Sequence, residues 1–208
     1  MIRILTLVTV IALAACSGSA PGSNERTVTA VIATEAGDIT VELYPDRAPL
    51  SVANFIAHAE AGHFDGASFY RTVRADNDRP EARIDVIQGG VDFDGLPGAV
   101  PIAHERTDET GLTHRRGAIS MARDAPGTAS TEFFIVIHDS VILDAGPGGR
   151  HPDGEGFAVF GYVTDGMDVA EAIWSAPTGG ADAPEGYAAQ WLDPAVGIRS
   201  VVVENGGR

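Results

Sequence analysis

Alternation of branched apolar and polar residues is the dominant pattern along the chain, and it predicts short β-strands. The first two strands, at 28–34 and 39–44, flank the turn sequence Glu-Ala-Gly-Asp and are expected to form a hairpin. Similar runs recur to the end of the chain. They predict further strands at 68–73, 84–88, 118–121, 133–137, 157–163 and 198–203.

The apolar run Phe133–Ile137 is too continuous for a strand with one exposed face, and it is typical of a buried strand. It follows a small, polar, turn-rich segment, Arg123–Ser130, whose composition suits a loop on a surface or along a groove. Two interpretations of this strand–loop–strand stay open. It is either an ordinary structural connection or one wall of a peptide-sized binding site.

Two segments show helical spacing of their apolar residues. One extends from about Leu50 to Ala61 and the other from Asp168 to Trp174. The stripe of the first helix consists of Val52, Phe55, Ile56 and Ala59. The strands, the two helices, the hairpin-length gaps and the absence of a βαβ rhythm predict a mainly β fold. We expect a closed eight-stranded antiparallel barrel capped by two α-helices.

The segments between these elements are polar and rich in Gly and Pro, and we interpret them as loops. Residues 74–83 are expected to form an exposed loop, 104–116 a charged loop, and 175–197 irregular chain. The Gly-rich segment 146–156 lacks the Lys-Ser/Thr pair of a phosphate-binding loop. It is therefore interpreted as a surface loop.

The first 26 residues are not expected to belong to the folded domain, which is assigned to 27–208. Residues 1–15 carry one basic residue and an apolar run too short for a comfortable membrane span, as in a secretory signal peptide. Small residues before Cys16 resemble the lipidation site of bacterial lipoproteins. The alternative is an ordinary signal peptide cut near Ala15. Residues 16–26 then form a flexible tether, so the predicted attachment is a lipid anchor.

Charge and cysteine content narrow the possible functions. The chain of 208 residues has a formal net charge of −15, so the phosphate backbone of a nucleic acid would repel it. Its single cysteine can form neither an internal disulfide nor a multi-cysteine metal site. His58 and His63 lack an evident third ligand, so no metal site is predicted.

Several short motifs are informative through their order and spacing along the chain. They are Pro49–Phe55, Phe69–Arg71, Gln88–Gly90, Gly117–Ala122, Thr131–Ile135, and Phe160–Gly161 ahead of Gly166–Met167. Together they resemble the cyclophilin family of peptidyl-prolyl cis-trans isomerases. The resemblance extends over about Val28 to Val203 and implies an eight-stranded barrel with two capping helices. This agrees with the fold predicted from the hydrophobic pattern.

The resemblance implies catalysed rotation about X–Pro bonds, which needs no nucleophile, metal or cofactor. The barrier of about 18–20 kcal/mol arises from amide resonance. A fixed cation that donates a hydrogen bond to the prolyl nitrogen favours the twisted state. By the same resemblance Arg71 is the catalytic arginine and Phe134 the aromatic floor of the proline pocket. The remaining matched substrate-binding positions are Val86, Gln88, Ala122, Arg123, Asp124 and Leu143.

Four positions carry residues that differ from the family pattern: Asp85, Glu132, Ile142 and Phe157. Glu132, Ile142 and Phe157 are included in the predicted substrate site. An ionised carboxylate of Glu132 or Asp85 close to Arg71 is expected to pin the guanidinium or to compete with substrate.

The implied partners are proline-containing polypeptides in extended or unfolded form. Combined with the signal sequence, they point to a folding isomerase that is lipid-anchored in the bacterial cell envelope and faces the periplasm. The departures leave open an alternative, a peptide-binding chaperone or scaffold with the same fold and little catalysis. A weaker alternative, which sets the resemblance aside, is a barrel that holds a small ligand. No feature of the sequence predicts an oligomeric state.

Overall fold

A computed structural model describes residues 25–91 and 96–204. The predicted signal segment, Cys16 and most of the predicted tether lie outside the described residues. The strands are β1 (Val28–Thr34), β2 (Gly37–Leu43), β3 (Ser68–Val73), β4 (Val86–Gly90), β5 (Ala118–Met121), β6 (Phe133–Val136), β7 (Ala158–Asp165) and β8 (Trp191–Glu204). The helices are α1 (Pro49–Glu60), α2 (Thr107–Thr110) and α3 (Met167–Trp174).

The eight strands form a closed barrel in the order β1-β2-β7-β5-β6-β4-β3-β8. Every neighbouring pair is antiparallel, and β1 closes the barrel by pairing with both β2 and β8. The predicted first hairpin is present, and its pairing extends to Thr34 opposite Gly37, two residues before the predicted start of the second strand. The predicted eight-stranded antiparallel barrel is therefore confirmed.

The barrel interior is filled by aromatic and branched side chains from the strands and from α1. Phe55 of α1 lies with its ring centroid 5.2 Å from Phe64, 5.5 Å from Phe133 and 5.4 Å from Phe160. All four rings are almost completely buried. Since burying one such side chain stabilises a fold by about 1.5–3 kcal/mol, this cluster anchors α1 to the barrel.

Helix α1 begins without a side-chain cap from its own preceding residue, Ala48. The buried carboxylate of Glu105 replaces that cap: it accepts hydrogen bonds from the backbone N–H of Leu50 (2.9 Å) and Ser51 (2.8 Å) and from the Ser51 hydroxyl (2.7 Å). A carboxylate at this position satisfies the orphan N–H groups of the first turn and complements the helix dipole. Segment 104–116, expected to be a charged loop, thus stabilises α1.

Three of the differences from the predicted elements concern segments near the site or the first helix. Segment 104–116 contains the one-turn helix α2, which the sequence pattern did not predict. Strand β8 begins at Trp191, seven residues before the predicted start at Ile198, so the end of segment 175–197 is regular strand. Strand β4 continues to Gly90, since Gly89 and Gly90 pair with Phe69 and Ser68 of β3. The strands approach so closely there that a Cβ at Gly89 would lie 2.6 Å from the Ser68 carbonyl oxygen.

The longer helices pack on different strands of the barrel. Helix α1 lies against β7 and β8, and α3 lies against β2, β3 and β4. Among residues 25–91 and 96–204, no helix combines the length and the apolar character that crossing a bilayer requires.

Candidate active site

The strand registers bring the central predicted residues into one row across the barrel surface. Arg71 of β3 is opposite Gln88 of β4, Gln88 is opposite Phe134 of β6, and Phe134 is opposite Ser120 of β5. Directly opposite residues of antiparallel strands carry their side chains on the same face. The barrel therefore places a cation, an amide and an aromatic ring side by side, although they come from three separate sequence motifs.

The Arg71 guanidinium is held from two sides by amide oxygens. Its Nη1 donates to Gln88 Oε1 (2.6 Å), while its Nε and Nη2 both donate to Gln190 Oε1 (2.9 and 2.7 Å). Burial lowers the pKa of Arg71 below its ordinary value, although an arginine still stays protonated at neutral pH. Because both acceptors are neutral, these bonds orient the guanidinium without neutralising its charge.

A chain of hydrogen bonds connects Arg71 to Glu132. Gln88, which accepts from Arg71, donates from Nε2 to the Tyr70 hydroxyl oxygen (3.0 Å), and the Tyr70 hydroxyl donates to Glu132 Oε2. Burial, followed by the neighbouring Glu132 carboxylate, raises the pKa of Tyr70. This chain fixes the orientation of the Gln88 amide, so that its oxygen is presented to Arg71.

Phe134 lies next to the cation as an apolar floor and is only 5% exposed. The Phe157 ring stands edge-on to it at 5.4 Å, and the buried imidazole of His114 stacks parallel to it at 5.8 Å. His114 is itself fixed, with Nδ1 2.7 Å from Asp144 Oδ1 and Nε2 3.0 Å from Ser120 Oγ. Rings packed at this spacing and angle attract one another. The floor is therefore supported by a network that sequence analysis did not identify.

The predicted peptide edge at Ala122, Arg123 and Asp124 follows directly after β5. The Arg123 side chain is almost fully buried, and its guanidinium donates to the Gly156 carbonyl oxygen and to Asp153 Oδ2 (2.8 Å) and Oδ1 (3.1 Å). The hydrogen bond from Arg123 lowers the pKa of Asp153 to about 2. The Arg123 side chain thus attaches this edge to the Gly-rich loop.

One cavity of about 770 Å³ gathers ten of the eleven predicted catalytic and substrate-binding residues. They are Arg71, Val86, Gln88, Ala122, Arg123, Asp124, Glu132, Phe134, Leu143 and Phe157. The eleventh, Ile142, lies in a neighbouring shallow recess instead. It precedes Leu143 in a short 3₁₀ helix, Val141–Leu143, in which adjacent side chains cannot face the same way.

The Asp85 carboxylate does not pin the Arg71 guanidinium, which was one of the effects expected of a carboxylate close to that residue. This carboxylate lies 3.5 Å from His138 Nδ1, whereas the neighbouring Ile84 and Val86 line the cavity. Successive side chains of an extended chain point to opposite faces, which explains the difference.

Three loops that were interpreted as exposed or irregular prove to line the cavity. Residues 78–79 come from segment 74–83, residues 150–152 from the Gly-rich segment, and residues 186, 187 and 190 from segment 175–197. The bidentate ion pair between Asp78 and Arg150 (both contacts 2.8 Å) joins two of these loops. No local pattern predicts this pairing, because the partners are 72 residues apart in loops without periodicity.

No group of three or more His, Cys, Asp or Glu side chains suited to a metal ion occurs within residues 25–91 and 96–204. His58 and His63 do approach each other, with 2.9 Å between their Nδ1 atoms. The cavity is a polypeptide-sized site that presents a charged guanidinium beside a rigid apolar floor, on the surface of a closed antiparallel barrel.

Comparison with known proteins agrees with this description. The family model "Cyclophilin type peptidyl-prolyl cis-trans isomerase/CLD" matches residues 29–201, nearly the whole described chain. The chain belongs to the cyclophilin family and is a peptidyl-prolyl cis-trans isomerase.

Individual relatives support this assignment. Peptidyl-prolyl cis-trans isomerase cyp18 of Streptomyces antibioticus is 36% identical over 150 residues, which cover 70% of this chain and 82% of the relative. Isomerase B of Escherichia coli is 33% identical, with 70% and 84% covered. A crystal structure of a Cryptosporidium parvum cyclophilin-type isomerase superposes with a TM-score of 0.66 at 21% identity, covering 88% of this chain and 100% of that chain. At this identity the structural likeness supports the fold alone.

Proposed function

We propose that Arg71 is the catalytic residue and that it acts by donating a hydrogen bond to the prolyl nitrogen of a bound X–Pro peptide. In the planar amide, the nitrogen lone pair is delocalised into the carbonyl group. As the bond twists, the nitrogen becomes pyramidal and its lone pair becomes a hydrogen-bond acceptor. A guanidinium beside that nitrogen therefore stabilises the twisted state more than either planar isomer, which is the condition for catalysis.

The apolar floor holds the proline ring in this account. Phe134, Val86, Leu143 and Phe157 surround one part of the cavity with carbon atoms that favour a pyrrolidine ring over water. Residues 122–124 form an edge along which an extended peptide docks through its main chain. Proline-containing polypeptides in extended form are thus the substrates that this site would accept.

The observation that carries the proposal is the hydrogen bonding of Arg71 to two neutral amides, Gln88 and Gln190. Arginine has five N–H donors, and these bonds use three of them. The Arg71 guanidinium is therefore oriented and charged, and two of its N–H groups remain to donate to a substrate.

The test compares the rates of the full chain and of Arg71→Ala in an isomerisation assay on a short X–Pro peptide. Titration of both proteins with the same peptide measures their binding affinity. Loss of the guanidinium should lower kcat/KM by about 10²–10³-fold, as removing one oriented donor does in other enzymes, while peptide binding persists. Equal rates for the two proteins would refute the role of Arg71. Peptide binding by the wild type without any acceleration would instead favour the chaperone or scaffold.

We also propose that the isomerase works in the bacterial cell envelope, anchored through a lipid on Cys16 and facing the periplasm. The support is the order of sequence features: an apolar run at residues 4–15, small residues, one cysteine and a polar segment before the domain. A tethered domain would meet secreted chains while they are still extended, and so assist their folding.

Metabolic labelling with a radioactive fatty acid tests the anchor. The full chain should take up label and sediment with membranes, and Cys16→Ser should do neither. An unlabelled wild-type protein in the soluble fraction would favour the ordinary signal peptide cut near Ala15.

A further inference from the structure

Gln190 orients the Arg71 guanidinium from the side opposite Gln88. It lies in segment 175–197, for which the sequence pattern predicts no regular structure. Gln190 ends a 3₁₀ helix, Ala188–Gln190, directly before β8. The next residue, Trp191, is the register partner of Arg71 in the β3–β8 ladder. The ladder thus brings the Gln190 amide to the guanidinium, and its single oxygen receives both Nε–H and Nη2–H of Arg71.

The Gln190 amide is itself locked in place. Its Nε2 donates to the Asn77 carbonyl oxygen (2.8 Å), so its oxygen is turned toward Arg71. Asn77 in turn donates from Nδ2 to the carbonyl oxygens of Ala189 (3.1 Å) and Thr72 (3.2 Å), and its Oδ1 accepts from the Arg74 N–H (2.8 Å). The loop after β3 and the segment before β8 therefore hold each other, and both hold Gln190.

A buried ion pair fixes the outer side of the same loop. Asp78, whose side chain is 2% exposed, forms its bidentate pair with Arg150, and its Oδ2 also accepts from the Ile84 N–H (3.0 Å). Burial opposes the charge of this carboxylate, but these hydrogen bonds outweigh it and lower the pKa of Asp78. Arg79 adds a hydrogen bond to the Arg150 carbonyl oxygen (2.6 Å). We name residues 77–79, 150–152 and 186–190 the collar.

The collar also places an aromatic ring, that of Tyr187, next to the Arg71 guanidinium. The Arg71 Cζ atom lies 5.0 Å from the centre of the Tyr187 ring, within the range of a cation–π contact. Gln190 is connected to Tyr187 by its backbone N–H, which donates to the Tyr187 carbonyl oxygen (2.8 Å). One short segment therefore presents both an acceptor in the plane of the guanidinium and a ring near it.

From these contacts we infer that Gln190 is a positioning residue for catalysis, and that the collar exists to hold it. The inference rests on the proposed role of Arg71. A hydrogen bond to the twisted prolyl nitrogen requires the donor to stand within about 3 Å of that atom, and small displacements of a catalytic group are costly. Gln88 alone would fix only Nη1, and the guanidinium could still rotate about that hydrogen bond. The two hydrogen bonds to Gln190 prevent this rotation.

Gln190→Met keeps the length of the side chain and removes the acceptor. We expect kcat on a short X–Pro peptide to fall about tenfold, because the guanidinium loses two of its three fixed bonds. KM should stay within about twofold, since the apolar floor that holds proline is untouched. Gln190→Asn, which stays polar but is one methylene too short, should show the same split.

The double variant with Arg71→Ala separates positioning from general damage. In that background Gln190→Met should have no further effect, because the group that it positions is absent. A wild-type kcat for both Gln190 variants would overturn the inference, and so would a tenfold loss that persists without Arg71. If Arg71→Ala itself retains full activity, the proposed function fails instead, so the two failures are distinguishable.

Discussion

At the scale of single residues, the positive charge of the site and the groups that orient it belong to different side chains. Arg71 supplies the charge, while Gln88 and Gln190 supply fixed acceptors that carry none. The Glu132 carboxylate, one of the two expected to pin Arg71 or to compete with substrate, accepts a hydrogen bond from the Tyr70 hydroxyl and so contributes to the orientation of Gln88. Its departure from the family pattern thus becomes part of the support for the arginine.

His114 gives a pH-dependent prediction at the same scale. The imidazole is fully buried, and burial lowers its pKa despite the opposing contact with Asp144. The unfolded chain binds a proton on this residue below pH of about 6.5, whereas the folded chain does so only at lower pH. The unfolded state therefore binds more protons in that window, and the free energy of unfolding should fall as pH drops below 6.5, by up to about 1.4 kcal/mol per pH unit.

Denaturant unfolding between pH 5 and pH 7.5 measures this slope. In His114→Gln the contribution of this imidazole should vanish, so that the pH dependence becomes shallower than in the wild type. The control is His138→Gln, which makes the same substitution at a side chain that is 57% exposed. Identical slopes for the wild type and His114→Gln would contradict the prediction.

At the scale of elements, strands and motifs were predictable and loops were not. Arg71, Gln88 and Phe134 each lie in a strand, and the alternation of a strand fixes which face its side chains occupy. Their association then follows from the barrel order. Ile142 lies outside the cavity, in a 3₁₀ turn that the hydrophobic pattern does not predict. Gln190 lies in a segment whose structure depends on hydrogen bonds to Asn77, more than a hundred residues earlier.

The start of α1 gives a prediction of its own at this scale. Glu105→Ala removes the acceptor of the Leu50 and Ser51 N–H groups and leaves the first turn without a cap. The free energy of unfolding should fall by about 2–3 kcal/mol, because these are buried hydrogen bonds to a charged group. Catalysis at low temperature should be retained, since Glu105 does not line the cavity.

The matched control for Glu105→Ala is Asp108→Ala, in the same segment but with a side chain that is 54% exposed. An exposed ion pair contributes little, so this variant should unfold close to the wild-type denaturant concentration. If Glu105→Ala also unfolds there, the carboxylate does not stabilise the helix.

At the scale of the whole molecule, the barrel and the collar have different roles. Pairing of β1 with β8 closes the barrel, and the register of its strands aligns the row from Arg71 to Phe134. The collar consists of long-range polar contacts between loops, among them the Asp78–Arg150 pair. The sequence therefore predicts the barrel and the row of residues from Arg71 to Phe134, because both follow from strand alternation and register. It does not predict the loops that enclose this row, because their contacts join residues far apart in the chain.

The central claim is that a charged, oriented guanidinium lowers the rotation barrier, and Gln88→Glu tests it most directly. The new carboxylate keeps an acceptor at the position now 2.6 Å from Arg71 Nη1, but it pairs with the charge that the prolyl nitrogen would otherwise meet. Turnover of a saturating X–Pro peptide should fall by about tenfold or more, equivalent to at least about 1.4 kcal/mol in the barrier, with peptide affinity within about twofold. Turnover equal to that of the wild type would contradict the account.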